Sequence, residues 1–133
     1  MKKWALRIAI GMMLVNARAH CGEIAILNQS GRIAMGQFEA TSTDALILNE
    51  DGISRHHFYI HNERTEFFYI ENGEFEFVIE LPGIEKDFKV ATLKSDMDYQ
   101  IEFNPNSVWI NDKCVWGIKN GAKSSIGGTE CRK

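Results

Sequence analysis

Ser54-Arg55-His56-His57 gathers a hydroxyl, a guanidinium and two imidazoles in four consecutive residues, with His61 close behind. Three chemistries are open to such a group. Ser54 and His57 have the residue types of a nucleophile and its base, the three histidines those of a metal site, and Ser54 with Arg55 those of a binding loop held at the mouth of a strand. Spacing weighs against the first two. Along an extended strand Ser54, His56, Phe58 and Ile60 share one face, and Arg55, His57, Tyr59 and His61 the other. Ser54 and His57 therefore point apart, and no acid is placed to orient the imidazole. Of the histidines only His57 and His61 share a face, and no Cys or acid at a fixed spacing completes a ligand set. The expectation is a binding loop, without catalysis, metal or cofactor.

The elements that must hold this loop read as strands. Ala45 to Leu48 is an apolar run too short for a helix and suited to a strand covered on both faces. Asn49-Glu50-Asp51-Gly52 is a turn cluster, with Gly52 free to take positive φ. Ile53 to Ile60 returns as the second strand. Glu23 to Asn28 reads as the first strand of the domain. Arg32 to Gly36 follows with Ile33 and Met35 on one face, and Phe38 to Thr43 reads as a loop. Thr65 to Leu81 reads as a hairpin around Asn72-Gly73, a pair that suits a two-residue type I′ turn. That pairing sets Ile70 against Phe75, Phe68 against Phe77 and Glu66 against Ile79. It leaves Glu71 beside Glu74 on a solvated face, where paired carboxylates are not expected to catalyse. Phe88 to Leu93 and Tyr99 to Phe103 alternate as further strands. No stretch carries a sustained helical stripe, so the chain reads as all-β.

Residues 1–19 read as a secretory signal peptide. Lys2, Lys3 and Arg7 form a basic start, Ile8 to Val15 an apolar core, and Ala17-Arg18-Ala19 an A-x-A cleavage site. The core is too short to span a bilayer. Cleavage leaves one domain, residues 20–133, periplasmic or secreted and with no membrane attachment. The alternative is a misplaced start, with Met12 or Met13 first and a cytoplasmic product. Cleavage also removes four positive charges and no negative one, taking the formal charge from −3 to −7. Such acidity argues against nucleic acid, which needs a basic face to replace its counterions. The three cysteines, Cys21, Cys114 and Cys131, are an odd set, which in an oxidising compartment implies one bridge and one spare thiol.

Taken in order, Gly36-Gln37, Asp44 to Leu48, Ser54-Arg55-x-His57 and Asn106-Ser107-Val108-Trp109-Ile110-Asn111-Asp112-Lys113 resemble the successive motifs of the forkhead-associated (FHA) domain. Ser125-Ile126-Gly127-Gly128 resembles that family's closing strand. The resemblance implies an FHA-like antiparallel β-sandwich of eleven strands that recognises phosphothreonine peptides. It places ligand contacts at Gly36, Gln37, Ser54, Arg55, Asn106 and Ser107, and gives His57 a structural role, hydrogen-bonding within the loop to hold the serine. It also implies that the first and last strands pair antiparallel, which favours a Cys21–Cys131 bridge with Cys114 unpaired. Two departures matter. Gln37 stands where the family carries its phosphate-gripping arginine, and Ser107 where it carries glycine. Between the two halves of the motif set, residues 82–104 form an added segment.

The function expected is an exported protein–protein interaction module, not an enzyme, with weak or lost phosphothreonine recognition. Its partner is a protein or peptide, phosphorylated or not. The alternative is a small exported β-sandwich hydrolase, through Ser54 and His57, or a hydrolase inhibitor presenting the Lys94 to Asp98 turn.

Overall fold

The computed structural model describes residues 22–81, 87–119 and 122–123. These form eleven strands and no helix. They are β1 (Gly22–Asn28), β2 (Ala34–Ala40), β3 (Leu46–Asn49), β4 (His57–Ile60), β5 (Thr65–Asn72), β6 (Glu74–Glu80), β7 (Phe88–Lys94), β8 (Tyr99–Asn104), β9 (Ser107–Ile110), β10 (Lys113–Lys119) and β11 (Ala122–Lys123). A seven-stranded sheet in the order β11-β10-β9-β8-β1-β5-β3 packs as a sandwich on a four-stranded sheet in the order β4-β2-β6-β7. Every pair is antiparallel except β1 with β8.

Alternating strands from both sheets fill the interior. Ile24 and Ile26 of β1, Phe68 and Ile70 of β5, and Tyr99, Ile101 and Phe103 of β8 face Phe38 of β2, Phe58 and Ile60 of β4, and Phe75, Phe77 and Ile79 of β6. The ring of Phe38 lies 5.1 Å from that of Phe68 across the two sheets, and 5.6 and 5.7 Å from those of Phe58 and Phe77. Such ring pairs add to the area that they bury.

Three expectations change. Thr65 to Leu81 is not a hairpin: β5 pairs with β1 and β3, whereas β6 pairs with β2 and β7. Asn72-Gly73 carries the chain from one sheet to the other, with Gly73 at φ 80°. A period of two reports which face is buried and is silent on the neighbour, so Phe68 and Phe77 reach one core from opposite sheets. Second, Phe38 belongs to a strand and not a loop. On β2 the inward positions are Ala34, Gly36 and Phe38, with Met35 outward. Third, β1 is flanked on both sides, by β5 and β8, and β11 pairs with β10. The antiparallel pairing of first and last strands implied by the FHA resemblance is absent from the described residues.

The bridging of the cysteines changes with it. Cys114 is disulfide-bonded, not free, and its partner lies outside the described residues, as do both Cys21 and Cys131. Three cysteines cannot hold this bridge and a Cys21–Cys131 bridge in one chain. The Cys114 sulfur also lies 3.3 Å from the Trp116 carbonyl oxygen. A bridged sulfur has no proton to donate, so this is a contact and not a hydrogen bond.

The β9–β10 hairpin carries the two-residue turn expected elsewhere. Asn111 and Asp112 both take positive φ, 49° and 65°, as type I′ requires. The Asn111 side chain fastens the turn to β8, accepting from Gln100 N–H at 2.8 Å and donating to the Asp98 carbonyl at 3.2 Å.

Candidate functional site

The 49–55 loop is held by its own backbone. Asn49 Oδ1 accepts from the N–H groups of Asp51 and Ile53 at 2.9 and 3.0 Å, the local turn that asparagine favours. Asn49 N–H donates to Ile53 O at 2.8 Å and Gly52 N–H to Asn49 O at 3.0 Å, with Gly52 at φ 76°. A bridge between Leu48 and Ser54, and Arg55 N–H to Ile47 O at 3.3 Å, tie the returning arm to β3. The chain then crosses to the other sheet as β4.

A second loop, His61 to Arg64, follows β4 and is anchored as firmly. Arg64 N–H donates to His61 O, Glu63 N–H to Asn28 O at 2.7 Å, and Asn28 N–H to Arg64 O at 3.0 Å. Beneath it lies the fully buried Asn28 side chain. Its Nδ2 donates to the Arg32 and Ile60 carbonyls at 2.7 and 2.8 Å, and its Oδ1 accepts from Ser30 N–H and Oγ–H at 3.0 and 2.7 Å.

Between these loops opens a cleft of about 460 Å³, lined by Asn49, Glu50, Asp51 and Arg55 from the first loop, His61 and Arg64 from the second, and Thr65, Glu66 and Phe67 of β5. Its walls carry three carboxylates against two guanidiniums and one imidazole. Among the described residues neither guanidinium is within ion-pair or hydrogen-bond distance of an acceptor. Glu66 shares its face of β5 with Phe68 and Ile70 and stands opposite Ile26 of β1, so it sits where the core meets the cleft. Burial holds its carboxyl above the ordinary 4.5, the Glu50 charge adds to the rise, and Arg55 and His61 oppose it.

The residues named from sequence divide. Arg55 lines the cleft, and Ser54 is exposed beside it in the loop. Gly36 lies buried in mid-strand, where an added Cβ would stand 2.2 Å from Val78 O and 2.4 Å from the Phe58 ring. Its role there is to let Phe58 pack, without access to a ligand. Gln37 and His57 are cross-strand partners between β2 and β4. Gln37 Nε2 donates to Glu39 Oε2 at 2.8 Å. Among the described residues no hydrogen bond joins the His57 ring to Ser54. The tethered histidine is His56, whose Nδ1 lies 3.3 Å from Phe38 O and whose ring meets Phe75 edge-on. Asn106 occupies the exposed β8–β9 turn with Pro105. Pro105 lines a separate cleft with Gln29, Gly31, Asn62 and Glu63. Ser107 is fully buried and its Oγ accepts from Trp109 Nε1–H at 2.8 Å. Six proposed contacts thus fall on three parts of the molecule. The residues that sequence reasoning did not assign to a binding site are Glu50, Asp51, Arg64 and Glu66, and His61 was weighed only as a metal ligand. The signal for His61, Arg64 and Glu66 was the charged run His61-Asn62-Glu63-Arg64-Thr65-Glu66, which follows the Ser-Arg-x-His strand directly; Glu50 and Asp51 stood in the turn cluster before it.

Compared with known proteins, the chain matches no family model, no curated protein and no solved structure.

Proposed function

We propose that this is an exported protein-binding module that takes up a peptide segment of its partner in the cleft between the 49–55 loop and the His61–Arg64 turn. Two guanidiniums on the walls of that cleft, Arg55 and Arg64, which reach no acceptor within hydrogen-bond or ion-pair distance among the described residues, carry the reading. They come from loops fixed by backbone hydrogen bonds, so little ordering is lost when a ligand arrives. Guanidinium forks suit the oxygens of a peptide or of its acidic side chains. Phosphothreonine recognition through Gly36, Gln37, Ser54 and Asn106 is weak or lost in this reading. Gln37 is engaged with Glu39, Gly36 is enclosed, and Asn106 belongs to a different loop.

Fluorescence anisotropy against a panel of phosphothreonine and unphosphorylated peptides tests it. Arg55→Ala should weaken binding of whichever peptides bind by at least about tenfold, in line with loss of a charge-assisted hydrogen bond. Asn106→Ala should leave it unchanged. Tight phosphothreonine binding abolished by both Ser54→Ala and Asn106→Ala would overturn this placement and restore the FHA-type site.

A further inference from the structure

We propose that the Arg55–Arg64 cleft receives an acidic peptide segment, loading it at mildly acidic pH and releasing it toward neutrality, with Glu66 as the gate. This rests on the binding-module reading and adds the ligand's chemistry and its control.

The cleft is electrostatically undecided at neutral pH. Glu50 and Asp51 from the first loop and Glu66 from β5 set three carboxylates against the two guanidiniums of Arg55 and Arg64, one negative charge in excess. A carboxylate brought in would meet two good forks and three like charges. Protonating Glu66 removes one of those charges and turns an acceptor into a donor aimed at the same space. The two remaining carboxylates, Glu50 and Asp51, are then balanced by the two guanidiniums. Glu66 is the member of this set placed to act first, because burial against the core and the neighbouring Glu50 both favour its neutral form. No other charge faces it from β1, where its partner is Ile26.

A peptide fits the surroundings better than a free anion. The first loop holds Ile53 outward, 60% exposed, on the turn whose neighbours line the cleft. An acidic residue seated between the arginines would bring an adjoining apolar side chain over Ile53. The open cleft has room for such a segment.

Isothermal titration of the chain with a capped peptide alternating glutamate and leucine, at about pH 5 and about pH 7.5 and constant ionic strength, provides the test. The glutamine–leucine counterpart and inorganic phosphate are run beside it. Protonation of the peptide itself near pH 5 weakens binding, so it cannot mimic the expected direction. Wild type should bind the glutamate peptide at least about tenfold tighter at the lower pH. Glu66→Gln should bind at the higher pH about as tightly as wild type does at the lower one, with its pH ratio reduced severalfold. Arg55→Gln with Arg64→Gln should lose binding at both. A Glu66→Gln chain that keeps the wild-type pH ratio overturns the gate. Equal binding of the glutamine peptide, or displacement by phosphate at matching concentration, overturns the acidic-peptide ligand. If the glutamate peptide fails while other peptides bind in an Arg55-dependent way, only this inference falls. If Arg55 matters to none, the module reading falls with it.

Discussion

Asn28 shows how one polar residue organises the end of the sandwich beside the cleft. Its side chain makes four hydrogen bonds while fully buried, binding β1 to the Ser30–Arg32 turn and to the end of β4. Asn28→Ala strands the two carbonyls and the Ser30 donors, and should cost about 2–3 kcal/mol in urea unfolding. A loss below about 0.5 kcal/mol would show that water replaces the network. Glu66 makes a prediction of the opposite kind. Its folded-state carboxyl holds its proton to higher pH than the unfolded chain does. Between those two values the native state binds more protons, so stability declines as pH rises through the window above 4.5. Glu66→Gln should flatten that decline in thermal melts, and a steeper decline in the variant would contradict the assignment. Gln37→Arg, which the FHA resemblance marks as the restoring change, should instead pair with Glu39 and leave phosphothreonine affinity unaltered. Recovery of phosphopeptide binding in anisotropy would argue that the side chain reaches a ligand after all.

At the scale of elements, strands were legible in the sequence and their partners were not. Tyr99, Ile101 and Phe103 alternate and are buried together. Phe58 and Ile60 do the same, with His57 and Tyr59 outward. Burial alternates in the same way whether two strands are joined side by side or stacked across a core, so nothing in Phe68, Ile70, Phe75 and Phe77 distinguished the hairpin from the sheet-to-sheet crossing. Turn chemistry misled in the same manner. Asn72-Gly73 has the residues of a tight hairpin but serves the crossing, and Asn111-Asp112 makes the tight turn without glycine. Glycine also hid a register. Ile33 and Met35 share a face in the sequence, but the buried face of β2 is the other one, which runs through Ala34 and Gly36 to Phe38. The crossing itself can be tested. Gly73 combines positive φ with a Cβ position 2.7 Å from Ala45 Cα, so Gly73→Ala should destabilise by about 1–3 kcal/mol. A neutral effect would mean that the crossing relaxes freely.

At the scale of the molecule, the site is built on the link between two edge strands. β3 closes one sheet, β4 closes the other, and the chain between them forms the cleft's first wall. The candidate site was half legible for this reason. Arg55 stood out because Ser-Arg-x-His is a recognisable string, while Glu66 and Arg64 joined it only through folding. Peptide mapping without reduction should find Cys114 in a linked peptide, and a freely alkylated Cys114 would contradict that bridge. The proposed export has its own test: an intact mass beginning at His20 is expected of protein recovered outside the cytoplasm, and retention of Lys2 and Lys3 would contradict it.

The account rests most heavily on where a partner sits. Two-dimensional amide NMR of the labelled chain, titrated with the tightest peptide from the panel, locates it directly. The predicted result is a contiguous set of shifts at Asn49, Asp51, Arg55, His61, Arg64 and Glu66, with Gln37, Asn106 and Ser107 unmoved. Shifts confined to Gln37, Asn106 and Ser107, with the Arg55–Arg64 cleft silent, would contradict it.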